Sequence, residues 1–161
     1  MDASRTILTD RIRATDSIVI DSSAVIAYLR GDEVVSAAAQ ELFDRIVASG
    51  RNPAIISSIT VGEVLVGALR RHGRVPEGYK TFLLDFPGLS WRSADFLVAA
   101  EAAEIRARTK LALADAIVAA TCTITSSPWL ITNDTRLAKA LSEFKWDTRV
   151  VLLSELALDG G

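Results

Sequence analysis

Four acidic residues sit where an apolar pattern leaves them in need of a reason. Asp21 closes the run Ile18-Val19-Ile20 and is followed by two serines and a second apolar stretch. Glu63 lies within "SSITVGEVLVGAL" (57–69) and Asp115 within "LALADAIVAAT" (111–121), while Asp134 follows "WLITN" (129–133). A carboxylate in apolar surroundings is costly unless it is protonated, paired or bound to a cation. Each acid taken singly has an ordinary explanation. Asp21 and Asp134 suit helix N-caps, Thr60-Val61-Gly62-Glu63 fits a capping box, and Asp115 could answer a helix dipole. Asp115 resists that treatment most, because it is the only charged residue between Leu111 and Asn133. A helix apolar nearly all round is usually buried.

Taken together, the acids imply a cation. Two unit charges about 4 Å apart repel by about 4 kcal/mol at an effective dielectric near 20, so a shared pocket would hold protons or metal. Hard carboxylate oxygens suit Mg²⁺, which takes a few of them together with waters and substrate phosphates. The chain has one cysteine and one histidine, Cys122 and His72. That excludes a Cys/His zinc cluster and an internal disulfide.

For the acids to meet, the chain must bring distant segments to one edge. "SIVI" (17–20), 53–56, "GLSW" (88–91), "WLIT" (129–132) and "RVVLL" (149–153) read as strands. Helical spacing marks the segments between them. Val61, Val64, Leu65, Ala68 and Leu69 form one apolar stripe, and helices are expected to about residue 29, over 33–48, from Pro76 to about 84, and over 93–108, 113–124 and 135–141. Alternating strands and helices predict a single α/β domain, a parallel sheet flanked by helices, with chemistry outside the carboxyl ends of the strands. The 161 residues suffice for one core without staples. A net charge of −2 argues against binding nucleic acid through bulk positive charge, but not against meeting phosphates through metal and a local basic patch. No secretory signal or membrane span is read in the sequence, and a cytoplasmic location with no membrane partner is expected.

Four stretches, "IVIDSSAVIAYL", "SSITVGEVLVGAL", "LALADAIVAAT" and "WLITNDTRLAKA", together resemble the acidic motifs of the PIN domain. The likeness is strongest to the VapC toxins of VapBC toxin–antitoxin pairs. Order and spacing agree, with 42 residues from Asp21 to Glu63, 52 to Asp115 and 19 to Asp134. The resemblance spans about 18–153, leaving 1–17 as an N-terminal extension, a disordered arm or an added helix, and 154–161 as a C-terminal tail.

It implies a Rossmann-like sheet and a Mg²⁺- or Mn²⁺-dependent endoribonuclease. Asp21, Glu63, Asp115 and Asp134 would be both catalytic quartet and metal ligands, with Ser22 and Thr132 as supporting hydroxyls. It further implies an RNA substrate, a homodimer, and a cognate antitoxin. The antitoxin would lay an apolar and basic segment along a groove lined by Val25, Ile26, Tyr28 and Leu29. Arg70, Arg71 and Arg74, and then Arg106, Arg108 and Lys110, are the candidate RNA contacts, though as solvated helix ends they would also answer the dipole. His72 reads as a surface residue, Cys122 as core, and Trp91, Trp129 and Trp146 as core or interface.

Other readings are open. Haloacid dehalogenase-like proteins would need an acid two residues beyond Asp21, where Ser23 stands, and a receiver domain a late-strand lysine that is absent. An RNA-processing nuclease without an antitoxin, or a non-catalytic binding module, would keep the same fold.

Overall fold

The computed structural model describes residues 7–158. Five strands form one parallel sheet in the order β3-β2-β1-β4-β5, where β1 is Ile18–Ile20, β2 Ala54–Ser57, β3 Leu89–Arg92, β4 Trp129–Thr132 and β5 Arg149–Leu152. The central strand, β1, is buried on both faces, which explains its unbroken Ile-Val-Ile. Alternate residues feed two cores. Ile18 and Ile20 join Ile56, Ile131 and Val151 on one face, while Val19 joins Leu130 and the helices opposite. The chain leaves β1 towards β2 on one side and later returns to β4 on the other. The carboxyl ends of β1 and β4 therefore open the crevice at which such sheets bind ligands.

Helices connect the strands. α1 is Ile7–Arg11, α2 Ser22–Arg30, and α3 Ser36–Gln40, which continues as a π-helical turn over Glu41–Val47. α4 is Ser58–His72, α5 Glu77–Asp85, α6 Phe96–Arg108, α7 Leu113–Ile124, α8 Thr135–Ser142 and α9 Leu153–Leu158. The parallel α/β architecture expected from the alternation is the one observed. α6 starts later than expected, because Asp95 and not Ser93 caps it, accepting a hydrogen bond from the Val98 amide. Gly88, at φ 76°, leads into β3, and a Cβ there would collide with the Val47 carbonyl, so the approach needs glycine.

Two elements lie outside the expected domain core. In the N-terminal extension, α1 buries Leu8, and Ile12 just beyond it is buried as well. Residues 1–6 of that extension lie outside the described residues. The expected tail carries α9, whose Leu153 and Leu156 join the same core, and Arg11 pairs with Glu155 between the two. Among the described residues no helix is long and apolar enough to cross a membrane.

Candidate active site

Asp21 leaves the end of β1 and occupies the N-cap position of α2, yet its side chain makes no capping hydrogen bond. Instead Oδ2 accepts hydrogen bonds from Ser23 Oγ and Thr132 Oγ1, each at 2.8 Å, in a position only 4% exposed. The two hydroxyls come from different segments, one from α2 and one from the end of the adjacent strand β4. Ser23 Oγ in turn accepts from the Asn133 amide, and Thr132 Oγ1 from the Asp134 amide. The carboxylate is thus fixed by a lattice that spans both strand ends. Bonds of this kind fix where the carboxylate points. Thr132 has the supporting place expected of it. The serine that reaches Asp21 is Ser23, whereas no hydrogen bond of the Ser22 side chain is seen among the described residues. The signal was available: both serines follow the acid, and only the direction of the helix start decides between them.

The capping-box explanation of Glu63 fails. α4 is capped by Ser57, which accepts from the Ile59 amide, so Thr60 and Glu63 lie inside the helix. Asp134 does cap α8, with Oδ1 accepting from the amides of Arg136 and Leu137. Asp115 lies in the first turn of α7 and is half-buried. Its carboxyl is pushed up from 3.8 to about 6, first by burial and then by the charges of Asp21, Asp134 and Glu63, with Arg136 opposing. The fold therefore brings Asp21, Glu63 and Asp134, each from a different element, within electrostatic reach of Asp115.

Around them are two orphaned polar atoms. Thr60 Oγ1, one helical turn before Glu63, and Asn133 Oδ1, beside Asp134, are buried without a partner. Buried polar atoms are rarely left this way. Among the described residues no three His, Cys, Asp or Glu side chains already form a group that could hold a metal by itself. The donor set nonetheless suits Mg²⁺ or Mn²⁺. It is all carboxylate oxygen, it carries uncompensated negative charge at Asp115, and Mg²⁺ typically uses one or two carboxylates with water and phosphate in place of a full protein cage.

The cation beside the acids is Arg136, which sequence reasoning passed over because it reads as an ordinary residue of α8. Its Nε lies 4.0 Å from Asp134 Oδ1. Three of the expected basic residues are engaged elsewhere. Arg71 pairs with Asp32 at 2.7 Å, Arg108 with Glu104, and Arg106 donates to the Leu111 carbonyl. Arg70, Arg74 and Lys110 are exposed, as is His72. Cys122 is buried, and burial pushes its thiol well up. Trp129 is buried and donates to Asp16 Oδ2, while Trp91 is exposed.

Fold and acids together define an α/β domain with an acidic region at the carboxyl ends of its central strands. The PIN domain family model matches residues 18–141, and the chain belongs to that family. No curated protein matches the chain in sequence. Solved structures do. The sarcin–ricin loop cleaving toxin VapC20 of Mycobacterium tuberculosis superposes with a TM-score of 0.65 at 17% identity, covering 83% of this chain and 99% of VapC20. A toxin–antitoxin complex from Klebsiella pneumoniae gives 0.62 at 25% identity, covering 85% of this chain and 98% of its own. FitAcB from Neisseria gonorrhoeae gives 0.63 at 22% identity, covering 86% and 99%.

Proposed function

We propose that this protein is a Mg²⁺- or Mn²⁺-dependent endoribonuclease and the toxin of a toxin–antitoxin pair. The observation that carries the reading is a half-buried Asp115 raised first by its burial and then by three other acids drawn from separate elements. Such clustering costs stability and is typical of sites that work on a charged substrate. Asp21 and Asp115 would hold the ion, with Glu63 and Asp134 completing its surroundings directly or through water. When bound, the ion lowers the pKa of water and neutralises charge developing on the phosphate. Ser23 and Thr132 keep Asp21 aimed. Asp115 would have to be ionised to hold the ion, so affinity should weaken as pH falls through about 6. Hydrolysis would form a bond from the water oxygen to phosphorus and break the P–O3′ bond, leaving a 5′-phosphate and a 3′-hydroxyl. His72 is exposed on another part of α4's end and has no part in this scheme.

An antitoxin is supported by the solved neighbours described as toxin–antitoxin complexes and by a groove between α2, α4 and α5. This cavity, about 350 Å³, is floored by Ile26, Val64, Ala68 and Tyr79 and edged by Arg30, Arg70 and Arg71. Of the groove residues read from the sequence, Ile26 lines it, whereas Val25 is wholly buried core and Tyr28 stacks in an aromatic cluster with Phe43, Phe82 and Phe86. Arg30 and Arg71 at its edge are already paired with Asp32, so the apolar floor is what the groove offers a partner segment. A homodimer is favoured by apolar side chains around the edge strand β3. Trp91 is 53% exposed, Phe96 83% and Leu97 60%. Exposed apolar clusters of this kind mark association surfaces.

The test is direct. Purified protein should cleave RNA with Mg²⁺, stop in EDTA and recover with Mn²⁺. Its expression should be toxic and be relieved by the product of an adjacent reading frame. Cleavage that persists in EDTA would refute the metal, and toxicity with no neutralising neighbour would refute the antitoxin. Light scattering reports the dimer.

A further inference from the structure

Arg136 sits at the start of α8, two residues past Asp134, and its backbone is pinned by donating its amide to the Asp134 cap. Its side chain is a different matter. It is 95% exposed and reaches Asp134 Oδ1 only at 4.0 Å, through Nε. An exposed pair at that distance is weak and exchanges readily with water. The guanidinium is therefore at the rim of the acid pocket, positively charged, and poorly committed. Other arginines of the fold are committed: Arg51 donates to the carbonyls of Thr9 and Ile12, Arg71 pairs with Asp32, and Arg149 lies over the Trp129 ring.

A phosphodiester entering this pocket brings negative charge towards four carboxylates. A bound ion offsets part of that repulsion. A second cation must offset the rest and fix the orientation of the phosphate, and a guanidinium does both because its planar donors match two phosphate oxygens at once. We propose that Arg136 is a phosphate-binding residue of the active site, its guanidinium leaving Asp134 to take the non-bridging oxygens of the RNA backbone at the acid pocket. This rests on the nuclease reading and adds a residue to it. The residue touches substrate and not the ion, so its loss is felt in the handling of RNA and not in the affinity for metal.

Arg136→Ala and Arg136→Lys test this on a short single-stranded oligoribonucleotide with Mg²⁺. The alanine variant should lose about 100-fold in kcat/KM, as when one donor to a developing oxyanion is removed. The slope of log kcat/KM, taken below saturation, against log salt should flatten by about 0.7, the counterion equivalent of one phosphate contact on a single strand. Measured well above pH 6, where Asp115 is ionised without help from Arg136, the half-saturating Mg²⁺ concentration and Tm should stay at their wild-type values, because the backbone amide still caps Asp134. The lysine variant should recover the salt slope and only part of the rate, since it restores charge without the fork. An alanine variant with wild-type rate and slope overturns the proposal while leaving the nuclease reading standing. A loss accompanied by a changed Mg²⁺ requirement or a lower Tm overturns it in favour of a structural role. A wild-type protein that cuts no RNA with either ion overturns both readings.

Discussion

The two edges of the sheet treat polar groups in opposite ways. At the amino edge, where the strands begin, polar side chains are paired within the fold. Asn52, wholly buried before β2, donates to the carbonyls of Arg13 and Asp16. Ser17, Thr125 and Ser127 form a chain of hydroxyls, and Asp16 accepts from the Trp129 indole. This edge is how the N-terminal segment is stitched onto the domain. At the carboxyl edge the balance is reversed. The charges of Asp21, Glu63 and Asp134 all bear on Asp115, with the exposed Arg136 opposing them, and among the described residues the two buried side-chain atoms without partners, on Thr60 and Asn133, are near neighbours of Glu63 and Asp134 in the chain. A satisfied buried network stabilises a fold, whereas an unsatisfied one costs it free energy. The amino edge is therefore built for stability and the carboxyl edge for something the free protein lacks.

That contrast is broken most sharply by substitution at the acids. Asp21→Asn or Asp115→Asn should lower Mg²⁺-dependent RNA cleavage by about a thousandfold, at the upper end of what one preorganised charged group supplies. Thermal unfolding should show no loss of stability for Asp115→Asn, because the change removes repulsion. A variant with full activity would expel that residue from the site. Asn52→Ala should do the converse. It removes the side-chain donor to the Asp16 carbonyl and one of two donors to the Arg13 carbonyl, so it should cost about 1–2 kcal/mol in chemical denaturation and leave kcat unchanged at a temperature where the variant is folded. An altered kcat there would show that the two edges are coupled.

The carboxyl edge was the more legible of the two. Strand ends followed by acids, and one charge alone in an apolar helix, are patterns that local sequence carries, and they single out Asp21, Glu63, Asp115 and Asp134 as candidates. What escaped depends on side-chain direction or on partners far along the chain. Ser22 and Ser23 are equivalent in sequence, and only the exit angle of α2 gives Asp21 to Ser23. Arg136 has no local signature, since its meaning comes from acids on β1, α4 and α7. The amino edge was almost illegible for the same reason: Asn52 reads as a turn residue until its partners on the N-terminal segment are known. α1 left one signal in the spacing of Leu8 and Ile12, four residues apart, which is one helical face. α9 and the π-helical turn after α3 are short elements fixed by packing more than by propensity.

The acid cluster also predicts a pH dependence that the amino edge should not share. Asp115 has its ordinary value of 3.8 in the unfolded chain and about 6 in the fold. Between those values the folded state binds a proton that the unfolded state releases. This contribution to stability is fully present below 3.8 and is lost as pH rises through about 6. In EDTA, the wild-type Tm relative to that of Asp115→Asn should therefore rise as pH is lowered from about 6 towards 3.8. Saturating Mg²⁺ should suppress the difference by displacing the proton. A flat difference across this window would mean that the acids do not meet.

The smallest effect is the most particular to the comparison. Thr60 is wholly buried and its hydroxyl has no partner, so the group has lost its water without compensation. Valine has nearly the same shape and carries no polar atom. Thr60→Val should thus stabilise the free protein, by about 1 kcal/mol, since an unsatisfied buried polar group costs about 1–3 kcal/mol. The same exchange at the amino edge, Thr125→Val, removes a hydroxyl that bonds both Ser127 and the Thr121 carbonyl, and should destabilise by about the same amount. Opposite signs for one chemical change at the two edges would confirm that the difference lies in satisfaction and not in burial. If Thr60→Val instead lowers stability in the free protein, the hydroxyl has a partner there and the carboxyl edge is less incomplete than its acids suggest.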